Sequence, residues 1–141
     1  MTSDMNLSAA VAVESRTLSL RDIETYLDLP SGPKGRSLGQ ETLLDKSRRY
    51  KTTVWEMPLA LPQEKHPGTD GMTEAIENLS LSLARMIGDL TQQGCEAILS
   101  IRQSIYVTQG SYPLGIHLSP QAMNWLSTAR ASLDIDQYTS E

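Results

Sequence analysis

Apolar residues recur at every second position in five stretches of this chain and at every third or fourth position in three others. The first alternating stretch, LSAAVAVES, sets Leu7, Ala9, Val11 and Val13 at period two with small residues between them. That predicts a strand with one well-buried face, although its alanine content leaves a helix as the competing reading. TLSLRDIETYLDLPSGPKG then switches to the helical period. Ser19 is placed to N-cap, Asp22 completes a variant capping box, and Leu18 and Ile23 form a hydrophobic staple. Leu20, Ile23 and Leu27 share one face, and the helix is expected to run from Leu20 to Leu29, stopped by Pro30 and the Gly-Pro-Lys-Gly run.

TTVWEMPLAL alternates again, with Trp55, Met57, Leu59 and Leu61 on one side and Glu56 on the other. Pro58 has no N–H to give a ladder, so this reads as an edge strand or a bulged one. PQEKHPGTDG is turn-rich. From Met72 through Ile76, Leu79, Leu83 and Ile87 to Leu90 the step is three or four throughout. This predicts one long helix, capped by Thr69 or Asp70 and stopped at Gly94. CEAILSIRQSIYV returns to period two: Cys95, Ala97, Leu99, Ile101, Ile105 and Val107 share a face on which Gln103 is the exception. TQGSYPLG reads as a turn, and GIHLS as a short strand with Ile116 and Leu118 inward and His117 outward.

In SPQAMNWLSTARASLDIDQY, Ser119 is an N-cap and Pro120 sits at N1, where its missing donor costs nothing. Ala122, Met123, Leu126 and Ala129 form the apolar stripe, with Trp125 at its flank. The final strand turns Leu133 and Ile135 in and Asp134, Asp136 and Tyr138 out. The order β-α-β-α-β-β-α-β predicts a single α+β domain over 1–141, a two-layer sandwich. Its sheet is expected to be mainly antiparallel, of about five strands, with the helices on one face, a ferredoxin-like variant.

Composition adds bounds. The chain has 141 residues, 39% hydrophobic and 21% charged, with no Phe, so the core falls to Leu, Ile, Val, Ala and Met. A net charge of -5 argues against nucleic acid as a partner. The single Cys95 cannot close an internal disulfide, and the N-terminal apolar run is too short for a signal peptide or a span. These point to a cytoplasmic protein without a membrane association.

Residues 31–51 show no sustained period and hold half of the basic residues of the chain: Lys34, Arg36, Lys46, Arg48, Arg49 and Lys51, against Glu41 and Asp45. Long ordered loops are often functional. Lys34, Arg36, Arg48, Arg49 and Lys51 are therefore the candidates for binding an anion or an acidic partner. The loop lacks phosphate-loop spacing. Asp134 and Asp136 share a strand face, about 7 Å apart by strand geometry. They read as a solvated face, because a hard cation would want more oxygen ligands than these. His66 and His117 lack metal-ligand spacing, and Cys95 reads as a buried thiol. No metal or other cofactor is implied.

SLRDIETYLDLPSGPKG, TTVWEMPLAL and GIHLSPQAMNWLSTARASLDIDQY, in this order and around a long amphipathic helix, resemble the bacterial domain-of-unknown-function family numbered 4279. The segment from Ser37 to Tyr50 departs from that pattern. The resemblance implies a small α+β domain and brings no catalytic residues. The expected function is that of a non-enzymatic protein-interaction domain, immunity-type or regulatory, whose partner is another protein or a second copy. The alternative is a small hydrolase or ligand-binding enzyme using Asp134, Asp136 and His117.

Overall fold

The computed structural model describes residues 5–61, 69–106 and 116–140. Its elements are β1 (Met5–Ser15), α1 (Leu20–Leu27), β2 (Thr53–Pro58), α2 (Thr69–Glu77), α3 (Leu81–Gln92), β3 (Glu96–Tyr106), α4 (Pro120–Ala129) and β4 (Ala131–Ser140). The four strands form one mixed sheet in the order β2-β1-β3-β4. β1 runs antiparallel to both β2 and β3, and β3 runs parallel to β4. The α+β class holds.

Helix ends follow the caps read from the sequence. Ser19 Oγ accepts from the Asp22 N–H at 3.1 Å, and the Asp22 carboxylate accepts from the Ser19 N–H at 3.1 Å. Helix α1 stops at Leu27, earlier than the expected Leu29, with Asp28 left-handed at φ 52°. Pro30 keeps Leu29 out of the helical region, so the turn must close before it. The long amphipathic run is two helices. Ser80 is extended, and its hydroxyl accepts from the Leu83 N–H at 3.1 Å, which starts α3 afresh. At the far end Gly94, at φ 105°, takes the left-handed position. Its N–H bonds the Thr91 carbonyl and the Cys95 N–H bonds that of Leu90, a complete Schellman closure.

Ser119 does more than cap. Its hydroxyl accepts from the Ala122 N–H at 3.1 Å and donates to the Glu77 carboxylate at 2.6 Å, tying α4 to α2. Ser119→Ala should lose about 2 kcal/mol: about 1 for the cap and a comparable share for the bond to a charged group. Urea unfolding at unchanged slope measures this, and a loss below about 0.5 kcal/mol would mean that water replaces both bonds.

The core fills the space between the helices and one face of the sheet. Val11 and Val13 of β1, Trp55 of β2, Leu99 and Ile101 of β3, and Ile23, Ile76, Ile87 and Leu90 from the helices are completely or almost completely buried. Trp55 does not depend on the long helical run for its anchor: its indole N–H donates to the Leu29 carbonyl just past α1, at 3.1 Å. Buried Cys95 belongs to the same cluster.

The sheet has four strands where about five were expected, because Ile116 to Ser119 form no strand. These four residues run directly into the α4 cap. Ile116 and Leu118 are partly buried against the core and His117 is exposed, as a strand reading would have them, but the stretch is too short to hold a ladder. The ferredoxin-like plan does not carry over either. The central pair β1 and β3 is antiparallel, and the parallel unit, β3-α4-β4, joins adjacent strands with none between them. Of the turn-rich connection expected at 62–71, residues 62–68 lie outside the described residues, and Thr69 and Asp70, the expected caps, are already inside α2; the turn expected at 108–115 lies outside the described residues.

Candidate functional site

The two edges of the sheet are treated differently. On the β2 edge, the first part of the 31–51 connection folds back as a partner. Gly32 N–H donates to the Glu56 carbonyl at 2.7 Å, and Arg36 and Val54 exchange both backbone bonds at 2.9 Å. Glu56, on the face opposite Trp55 as expected, is only 5% exposed beneath this turn. Its carboxylate accepts from the Lys34 N–H at 3.0 Å. Gly32 has to be glycine here, since a Cβ would run into the Glu56 carboxylate and Pro58. The β2 edge thus carries a proline and a covering segment, both recognised devices against strand addition.

Among the described residues the β4 edge has neither. Arg130, left-handed at φ 56°, turns the chain out of α4 and straight into β4. The β3–β4 ladder then runs without a skipped residue from Ala97↔Ala131 to Tyr106↔Ser140. β4 contains no proline, lysine or arginine, and among the described residues no strand pairs with its other side. Leu133 and Ile135 lie beside Leu99 and Ile101 on the helix-covered face, as expected, but the helices do not reach over them: they are 43% and 40% exposed. Met123, expected in the apolar stripe of α4, is 52% exposed. Trp125, at the flank of that stripe and at a core-compatible position, is buried, with its indole N–H donating to the Ser80 carbonyl at 2.9 Å. Gln103, the polar exception on β3, is buried and accepts from the Gln137 amide at 2.7 Å, which fixes β4 in register.

On the open face of β4, Asp134 stands beside Ser100, Asp136 beside Arg102, and Tyr138 beside Ser104. All three β4 side chains are exposed. The Arg102 guanidinium lies over the Tyr138 ring, 5.5 Å from its centre. His117 belongs to the other layer: its carbonyl accepts from the Thr73 hydroxyl of α2 at 2.8 Å. The sheet therefore stands between His117 and the two aspartates. Among the described residues, no three His, Cys, Asp or Glu side chains gather into a metal-binding group; His66 lies outside those residues.

The basic candidates spread out. Beyond the β2 edge, residues 39–50 form a small ribbon, with Gly39 bonded to Tyr50, Tyr50 to Gln40 and Thr42 to Arg48. Arg48 faces Asp45 at 3.5 Å, while Arg49 faces Glu41 at 3.7 Å and donates to the Gly39 carbonyl at 3.0 Å. Arg36 stacks on Tyr50, 4.9 Å from the ring centre. Asp45 is held below its ordinary range first by the Ser47 hydroxyl and then by the Ser47 N–H. The acidic residues of the loop are thus interleaved with its cations. Lys51 is exposed past the ribbon. Lys34 sits apart, with Glu56, Ser8, Ser100 and Arg102, at an open cleft of about 270 Å³ on the outer face of the sheet.

The alternation of residues 131–138 places β4 and its two faces but does not show that its apolar face is left uncovered. The available signal was Met123: a large apolar side chain two positions before Trp125 cannot share its buried face, at 100° per residue.

These features define an α+β two-layer domain whose sheet has one covered edge and one edge left open among the described residues. Compared with protein-family models, with curated proteins and with solved structures, the chain gives no match. Among the described residues, no helix is long and apolar enough to cross a membrane.

Proposed function

We propose that this protein is a non-enzymatic interaction domain that takes an extended segment of another protein onto the open edge of β4. The observation that supports this is the contrast between the edges. One is covered by residues 32–36, and the other presents a continuous ten-residue strand flanked by exposed Leu133, Ile135 and Met123. Along such an edge every second residue offers its N–H and C=O outward, and an added strand gains main-chain bonds and side-chain contacts together. A regulatory or immunity-type role would use the edge in this way, and the family resemblance adds no activity to it. The edge contrast carries the reading because the cations of the basic loop are interleaved with its own carboxylates and His117 lies across the sheet from Asp134 and Asp136.

Peptides selected for binding from a random display library provide the test. They should slow amide exchange along residues 131–138, and lose at least about tenfold in affinity against the Leu133→Ser/Ile135→Ser protein. Both side chains are already substantially exposed, so this variant should fold. Selected peptides that protect other residues, or that bind the double variant unchanged, would reject the reading.

A further inference from the structure

Resting on the edge-docking reading, we infer that the segment received by β4 alternates apolar residues with lysine or arginine. A strand added beside β4 must place successive side chains on opposite faces of the sheet. Those on the helix side meet Leu133 and Ile135, with Met123 nearby on α4. Those on the open side meet Asp134 and Asp136, two positions apart. Among the described residues neither carboxylate has an ion-pair partner. Arg102, the cation next in register to Asp136, leans over Tyr138, and the ion pairs among the described residues are both in the 41–49 ribbon. Opposite charges directly across a ladder stabilise it and like charges weaken it. The net charge of -5 draws a basic segment in from a distance as well.

The same carboxylates turn away a second copy. If two β4 strands pair antiparallel with Leu133 and Ile135 in the seam, centring on Ile135 sets Asp134 opposite Asp136 of the other copy. Centring on Leu133 sets Asp134 diagonal to its own counterpart, and centring on Gln137 does this to Asp136. The first register sets like charges directly opposite, and the other two hold them on the diagonal, where they repel more weakly. Among the described residues the edge is therefore open to strand addition, while charge disfavours self-pairing, which favours a basic heterologous segment.

The experiment uses capped synthetic peptides long enough to span β4. One alternates lysine with valine, one alternates glutamate with valine, and one groups the lysines of the first into a block. Titration followed by amide exchange reads both affinity and location. The alternating lysine peptide should protect residues 131–138 and bind at least about tenfold more tightly than the glutamate peptide. The Asp134→Lys/Asp136→Lys protein should reverse that order. If the lysine and glutamate peptides protect β4 equally well, the charge selection is overturned while the docking edge stands. If the blocked peptide matches the alternating one, bulk charge and not strand pattern is recognised, and the inference is overturned. Dimerisation of the parent through β4 without peptide would overturn it by giving the edge to a second copy. If no peptide protects β4, the docking reading itself falls and the inference falls with it.

Discussion

Trp55→Ala is expected to lose about 3–5 kcal/mol of folding stability, among the largest effects available from one side chain here. Trp55 is completely buried on β2, where α1 closes over the sheet, and its indole N–H is bonded to the Leu29 carbonyl. Truncation removes the largest aromatic surface in the core of a chain that has no Phe to fill the gap. Val13, its partner across the ladder, and Ile23 and Leu27, the buried residues of α1 in the same core, belong to elements fixed by the β1–β2 ladder and the α1 capping box, so the cavity cannot collapse freely. Trp55→Phe separates the two contributions. It keeps most of the apolar surface but leaves Leu29 without its donor, and should lose about 1 kcal/mol for the bond together with a smaller packing term. Urea midpoints at unchanged slope provide the measurement. A Trp55→Ala protein that unfolds within about 1 kcal/mol of the parent would mean that the tryptophan fills space other residues can take over.

Trp55 was legible because the pattern that buries it is local. Period two puts Trp55 on the apolar face, and Pro58 marks β2 as an edge. The same local logic gave the Ser19 capping box, the Ser119 cap with Pro120, and the alternation of β1, β3 and β4. What the sequence did not show depends on which surfaces meet. The break between α2 and α3 is invisible to periodicity, because Leu79 remains partly buried and the three-to-four step continues across Ser80. Glu56 reads as solvent-facing until residues 31–36 fold over it. Leu133 and Ile135 have the spacing of core residues, and only the reach of α3 and α4 decides that they are left half-uncovered. The candidate site was legible as a strand with two carboxylates on one face. That this strand forms the open edge follows from sheet order, and the order is set by long-range pairing of β1 with β3 that no local stretch encodes.

Gly88 is the clearest residue of the second kind, and Gly88→Val is expected to lose about 3 kcal/mol. In sequence it is a glycine in the middle of a helix, a residue that lowers helix propensity by about 1 kcal/mol relative to Ala. In the structure it is where α3 meets the C-terminal turn of α4. Gly88 is buried, and a Cβ there would strike the Thr128 carbonyl oxygen. The obstacle is backbone in the last turn of α4, which is held by the Arg130 cap bonds to Leu126 and Ser127 and leads directly into β4. A side chain at position 88 must therefore push the whole α4–β4 corner outward, carrying buried Trp125, Leu126 and Ala129 with it. Gly88→Ala should be milder, since its gain of about 1 kcal/mol in propensity offsets part of an overpacking cost of about 1–3 kcal/mol. Two comparisons make the cause visible. Thr128→Ala should not rescue Gly88→Val, because the colliding atom is the carbonyl and not the side chain. Amide exchange in β4 should also rise in the Gly88→Val protein ahead of exchange in β1, as the corner loosens before the centre of the sheet. Rescue by Thr128→Ala, or a Gly88→Val protein as stable as the parent, would show that α3 and α4 have room to spare at this crossing.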